Sequence, residues 1–315
     1  MRRLFLLSLF MLGISFISCS QSEDVLEEYI LEIERTNSTN QNGTIYVSYE
    51  RYMTLSPSTN SVQGAACYDK YLFQGYESNS RFDVYNLEKK EHIGIINISD
   101  PKPNSRIHSN TLCFGNQKVS PEDFFPVLYV SSGYTTKIDD FQNSYIYVYR
   151  ILKDNNEIFN ADLVQTITLK GFVSWTEGIP DNDNNLLWIK SQPNGTYAYS
   201  SLNIPKIEEG DVTLTDNDIL NSFSFIQPFK SSNQAHIFYH NYILLVSGTN
   251  PYTEKLAFII INTLTGKQEL VIDLNEIGLG DEPESIFFYK ENLMIGYRDK
   301  IYMFNINNSS SDKLI

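Results

Sequence analysis

One pattern returns five times along this chain, and a repeat of that period constrains the fold more than any single motif. Gln234 to Gly248 reads QAHIFYHNYILLVSG. Laid over it without a gap, Gln63 to Gly75 reads QGAACYDKYLFQG and Glu284 to Gly296 reads ESIFFYKENLMIG. Gln63, Gln234 and Glu284 share one register. Small residues follow them (Gly64, Ala235, Ser285), and five places on stand Tyr68, Tyr239 and Tyr289. Two looser copies lie around Ser109 (HSNTLCFG, with Cys113 against Cys67) and Glu177 (TEGIPDNDNNLLWI).

Each copy predicts two strands joined by a tight turn, Ala65 to Tyr68 with Tyr71 to Gln74 and Ile237 to Tyr239 with Tyr242 to Val246. A third and a fourth strand follow: Asp83 to Leu87 and His92 to Ile98 in the first unit, Ala257 to Asn262 and Glu269 to Leu274 in the fourth. A four-stranded antiparallel meander repeated in this way is the blade of a β-propeller. The expected fold is therefore all-β, a β-propeller of five blades with six as the alternative. The steps between registers are 46, 68, 57 and 50 residues, so the second and third units must hold insertions, Gln117 to Pro126 and Ile204 to Asp218. After Glu284 only three strands fit: Ile286 to Tyr289, Leu293 to Tyr297 and Ile301 to Ile306. The fourth strand must come from the N-terminus, from Tyr29 to Glu34 or Thr44 to Tyr49, which closes the ring and removes its exposed edges.

Composition agrees with strands and limits partners. Aromatic residues make up 13% of the chain and cluster with Val and Ile, as in YIYVYR from Tyr145 to Arg150. No window after the N-terminal segment has helical periodicity. The formal charge is -14, or -16 without Arg2 and Arg3, and such a surface repels phosphate backbones and anionic lipid. Nucleic acid is excluded as a partner on that ground.

The N-terminus reads as an export signal: Arg2 and Arg3, then an apolar run from Leu4 to Ile17 that is too short to span a bilayer. Phe16-Ile17-Ser18-Cys19 resembles the lipobox of bacterial lipoproteins, with Phe16 where Leu is usual. The resemblance implies cleavage after Ser18 and acylation, palmitate included, of Cys19. It divides the chain into a signal peptide (1–18), an acidic tether (19–28) and one propeller domain (29–315). Glu23, Asp24, Glu27 and Glu28 resemble the export tag of surface-displayed lipoproteins in Gram-negative gut anaerobes. The implied location is the outer membrane, anchored by lipid alone and exposed at the surface. Cys67 and Cys113 are then the remaining cysteines. They hold matching places in adjacent blades, where side chains point the same way around the ring, and are expected to be buried free thiols.

The Gln-Gly pair at a strand start, with HSN, QAH and EPES, resembles bacterial extracytoplasmic β-propeller lipoproteins over roughly residues 60 to 306. The resemblance implies fold and location and carries no reaction. In a propeller the first strand of each blade lines the central channel. The repeat register therefore gathers Gln63, His108, Asn110, Glu177, Gln234, His236 and Glu284 at one mouth as candidate ligand-binding residues.

Sharper motifs fail. DNDNN has Leu186 where a calcium loop needs Gly and Gln192 where it needs Glu, so it reads as a hairpin turn. There is no G-x-S-x-G, no H-E-x-x-H and no C-x-x-C. No cofactor and no metal is expected. Three function classes remain. The first is a surface module that binds a glycan or small polar ligand in the central mouth. The second is a glycan-active enzyme with Glu177 and Glu284 as acid and base, which resembles the five-bladed glycosidases but offers fewer carboxylates than they use. The third is a scaffold for other outer-membrane surface proteins, built on blade faces.

Overall fold

The computed structural model describes residues 27–33, 43–55, 62–77, 80–98, 107–131, 143–172, 176–193, 196–226, 232–249 and 255–308. The signal segment, Cys19 and the tether up to residue 26 lie outside them; Glu27 and Glu28, read as the end of the tether, begin the first strand.

Strands β1 (Glu27–Ile33) and β2 (Gly43–Thr54) precede the repeats. The first blade is β3 (Val62–Tyr68), β4 (Tyr71–Tyr76), β5 (Arg81–Asn86) and β6 (Glu91–Asn97). The second is β7 (Leu112–Phe114), β8 (Leu128–Ser131), β9 (Asn143–Lys153) and β10 (Phe159–Lys170). The third holds β11 (Glu177–Asp181), β12 (Leu186–Ser191) and β13 (Tyr197–Asn203), then β14 (Val212–Thr215) and β15 (Asn221–Phe225). The fourth is β16 (Asn233–Tyr239), β17 (Tyr242–Ser247), β18 (Ala257–Asn262) and β19 (Lys267–Asp273). The last supplies β20 (Ser285–Tyr289), β21 (Asn292–Gly296) and β22 (Lys300–Asn308). The protein is thus a β-propeller of five blades with a four-stranded antiparallel meander in each; the six-blade alternative falls.

The closing strand is β2. It pairs antiparallel with β22, from Ile45 opposite Asn308 to Thr54 opposite Lys300. Of the two candidate segments, Thr44 to Tyr49 therefore closes the ring, and the other lies largely in β1, which adds a fifth strand outside β2. A second five-stranded sheet was not foreseen. The insertion of the third unit, expected as a loop, contains β14, which leaves its own blade and pairs parallel with β10 of the second, Val212 opposite Ile167. Gln165 on β10 clasps the same insertion, donating to the carbonyls of Lys206 (2.9 Å) and Gly210 (2.7 Å).

The core lies in packets between neighbouring blades, because the inner strands of each sheet are buried on both faces. The packet of blades one and two shows how an insertion serves it. Phe125, from the Gln117 to Pro126 insertion, is 1% exposed, and its ring lies within 6.3 Å of those of Tyr68, Tyr71, Phe73, Phe114 and Phe159. Edge-to-face pairs dominate there, the geometry that aromatic quadrupoles prefer. Both cysteines are free as expected, but only Cys113 is buried; Cys67 is half-buried, because it stands near the open end of its strand.

Candidate functional site

The repeated Gln-small pair is a β-bulge. From Val62 to Ala65 β3 takes three residue steps where β4 takes two, and β16 repeats this from Asn233 to His236 against β17. A bulge re-aims side chains at the end of a ladder, which is its common use beside functional sites. In the first blade Gln74 holds the bulge, its amide donating to the Gly64 carbonyl at 3.1 Å and to that of Gln63. Gly64 is required by close approach: its amide donates to the Ser109 carbonyl (2.7 Å), and a Cβ there would lie 2.4 Å from the Asn110 carbonyl oxygen.

The seven candidate residues fall at one end of the five inner strands, and polar contacts among them run from blade to blade. Gln63 Oε1 of the first lies 3.0 Å from His108 Nε2 of the second. Asn110 donates to Glu177 Oε1 of the third at 3.2 Å. Glu177 Oε2 lies 3.7 Å from His236 Nε2 of the fourth. Gln234 donates to Glu282 just ahead of the fifth inner strand. At the remaining junction, between the fifth blade and the first, stands Glu284. The residues form a polar belt across the top of the channel.

Within the belt Glu177 is the anchor. It is fully buried and receives Lys190 Nζ at 2.8 Å, itself only 2% exposed, with Thr111 Oγ1 at 3.4 Å. Lys190 comes from β12, one strand out, and was missed in the sequence; a lysine in the apolar run LLWIKS was the signal that could have found it. Tyr199 on β13 was missed as well, and its hydroxyl lies 3.1 Å from His236 Nδ1. Burial, then the Lys190 charge, holds the His236 imidazole well below its ordinary pKa, so it is neutral at pH 7. A Tyr199 hydroxyl that donates to Nδ1 leaves the ring proton on Nε2, facing the Glu177 carboxylate. Glu177 is thus closed into a buried ion pair with Lys190.

Glu284 is opposite in character. Burial and then the negative charge of Glu282 push its carboxyl well above the ordinary range, with Arg298 opposing. Its carboxyl therefore keeps its proton to a higher pH than an ordinary glutamate, and when protonated it can donate a hydrogen bond. Three side-chain atoms of the belt, Asn110 Oδ1, His236 Nε2 and Glu284 Oε2, are buried without a protein hydrogen-bond partner. Among the described residues no group of three or more His, Cys, Asp or Glu side chains is arranged to hold a metal ion.

No protein-family model and no curated protein matches the chain. Solved structures do. Glutaminyl cyclase of Myxococcus xanthus superposes with a TM-score of 0.50 at 10% identity, over 82% of this chain and 97% of that one. The β-propeller domain of Myceliophteria thermophila Cps50 covers 85% of this chain and 98% of its own, with a TM-score of 0.40 and 10% identity. The likeness to the cyclase supports the propeller fold, and at that identity it carries nothing about reaction or ligand.

Proposed function

We propose that the protein is a lipid-anchored extracytoplasmic binding module whose polar belt takes a hydroxyl-rich ligand, a sugar or short glycan, at one mouth of the central channel. The observation that carries this reading is the set of unpartnered buried atoms, Asn110 Oδ1, His236 Nε2 and Glu284 Oε2, on the inner-strand starts of three different blades. A buried polar group without a partner costs about 1–3 kcal/mol, so three at one mouth call for a polar occupant. A hydroxyl suits them because it both donates and accepts: it can give its proton to the Asn110 side-chain carbonyl, and it can bond to Glu284 whether or not that carboxyl holds its proton. Specificity would follow from the groups that a wrong ligand leaves unpaired.

The anchor rests on the Arg2 to Cys19 segment, and places the propeller at the outer surface of an outer membrane through acyl chains alone. Two measurements test the reading. Cys19→Ser should move the protein from the membrane fraction to the soluble one; a variant that still sediments with membranes removes the anchor. A thermal-shift and calorimetric panel of mono- and oligosaccharides on the domain from residue 20 should find a ligand that raises the Tm. Its affinity should fall at least about tenfold in Gln234→Ala, which deletes one directed amide. If no saccharide shifts the midpoint, the glycan assignment fails whatever the anchor shows.

A further inference from the structure

The geometry points to a second binding site, at the opposite end of the channel, for an uncharged aromatic small molecule of one or two rings. Past the belt along the same strands, all five blades contribute to a cleft of about 210 Å³. Its lining includes Cys67 of β3, Phe114 of β7, Asn182 after β11, Phe238 of β16 and Phe288 of β20. The three phenylalanines are only half-buried.

Their rings are held by neighbours behind them. Tyr239 stacks on Phe288 with centroids 4.4 Å apart, and Trp188 lies nearly parallel to Phe238 at 6.5 Å. Such a wall is preformed, which spares the ordering cost that a flexible apolar surface incurs on binding. The size selects the ligand: an apolar cavity of about 150 Å³ takes up benzene, so this cleft suits a substituted ring or a fused bicycle.

The lining also says what the ligand is not. Among the described residues it holds no Asp, Glu, Lys, Arg or His, and burial raises the Cys67 and Cys113 thiols to about 12, so they stay neutral. An ion would lose its hydration here with no opposite charge to replace it. One polar group is in place: the Asn182 amide donates to the Phe114 carbonyl (3.2 Å), which leaves its own side-chain oxygen to accept a ligand N–H or O–H.

Indole and naphthalene are the probes, followed by calorimetry. Both should bind one to one. Cys67→Phe, which fills the cleft, should weaken both at least tenfold, and Cys67→Ser should change them less than threefold. Asn182→Ala should weaken indole several-fold and spare naphthalene; this variant decides the matter if Cys67→Phe does not fold. Absence of saturable binding by either probe overturns the site. So does binding that Cys67→Phe leaves unchanged, or that glucose competes away.

Discussion

At one end of the inner strands Gln63, His108, Asn110, Glu177, Gln234 and His236 join blade to blade through side-chain polar contacts. At the other end, a few residues along the same strands, Cys67, Phe114, Phe238 and Phe288 meet as an apolar wall. The backbone is equivalent, so the difference lies in what closes the ring at each level. An apolar wall needs only shape and contact, and contributes by removing area from water at about 25 cal/mol per Å². A buried polar belt gains about 1 kcal/mol net for each bond made and loses about 1–3 for each group left alone. The belt therefore adds little stability for its size. It fixes the register between blades and the direction of every donor and acceptor at the mouth, and a specific polar site needs both.

The largest effect should come from cutting the belt at its anchor. Lys190→Met removes the cation and leaves Glu177 buried with Asn110 and Thr111 bonded to it and the His236 ring 3.7 Å away. Loss of one partner of a buried pair costs about 3–5 kcal/mol, a fall in Tm of roughly 6–15 °C for a domain of this size. Glu177→Gln together with Lys190→Met should recover more than half of that loss. A single variant that melts like the wild type would show that the ion pair does not hold the belt.

Glu284 gives the second test, because the two ends should answer pH differently. Burial and Glu282 raise its folded-state pKa well above 4.5, so the native state keeps a proton that the unfolded chain releases. The stability linked to this proton is fully present below about pH 4.5 and is lost as pH rises through the folded-state value. Glu284→Gln, neutral at every pH, should match the wild type near pH 4.5 and be the more stable above it. The gap should widen by at most about 1.4 kcal/mol per pH unit. Melting curves from pH 4.5 to 8 read the trend. A gap of the opposite sign would mean that Glu284 is ionised and held by Arg298. Cys67→Ser at the apolar end should show no such trend over this range, since its thiol stays neutral.

The order of legibility in the sequence follows the same division. Blade count and belt membership were readable because the register repeats at the first strand of each unit, where residues such as Gln63, Gln234 and Glu284 align without gaps. Lys190 and Tyr199 were not, since they reach Glu177 and His236 from the second and third strands, and the register aligns only first strands. The exchange of β14 into the second blade left no signal at all: VTLT reads as a strand, but parallel pairing with β10 depends on how the insertion crosses the blade edge, which no local pattern encodes. The apolar cleft was hidden in plain view. Cys67 was expected to be a buried thiol, and the ring instead places it with Phe114, Phe238 and Phe288, half-buried, around one opening.

The smallest expected loss lies at that opening. Phe288→Ala removes a half-buried ring stacked on Tyr239. Full truncation of a buried phenylalanine costs about 3–5 kcal/mol; water already reaches part of this ring and can fill the space it leaves, so roughly 1–2 kcal/mol is expected. Indole affinity should fall by about tenfold, while the pH trend set by Glu284 and the binding of any saccharide should stand. That separation is the sharpest form of the contrast between the ends: one ring deletion should weaken a site at little cost in stability, whereas one charge deletion at the belt should destabilise the fold more. If Phe288→Ala instead destabilises the protein as much as Lys190→Met does, the apolar wall is part of the ring closure itself. The two ends would then differ in chemistry but not in structural role.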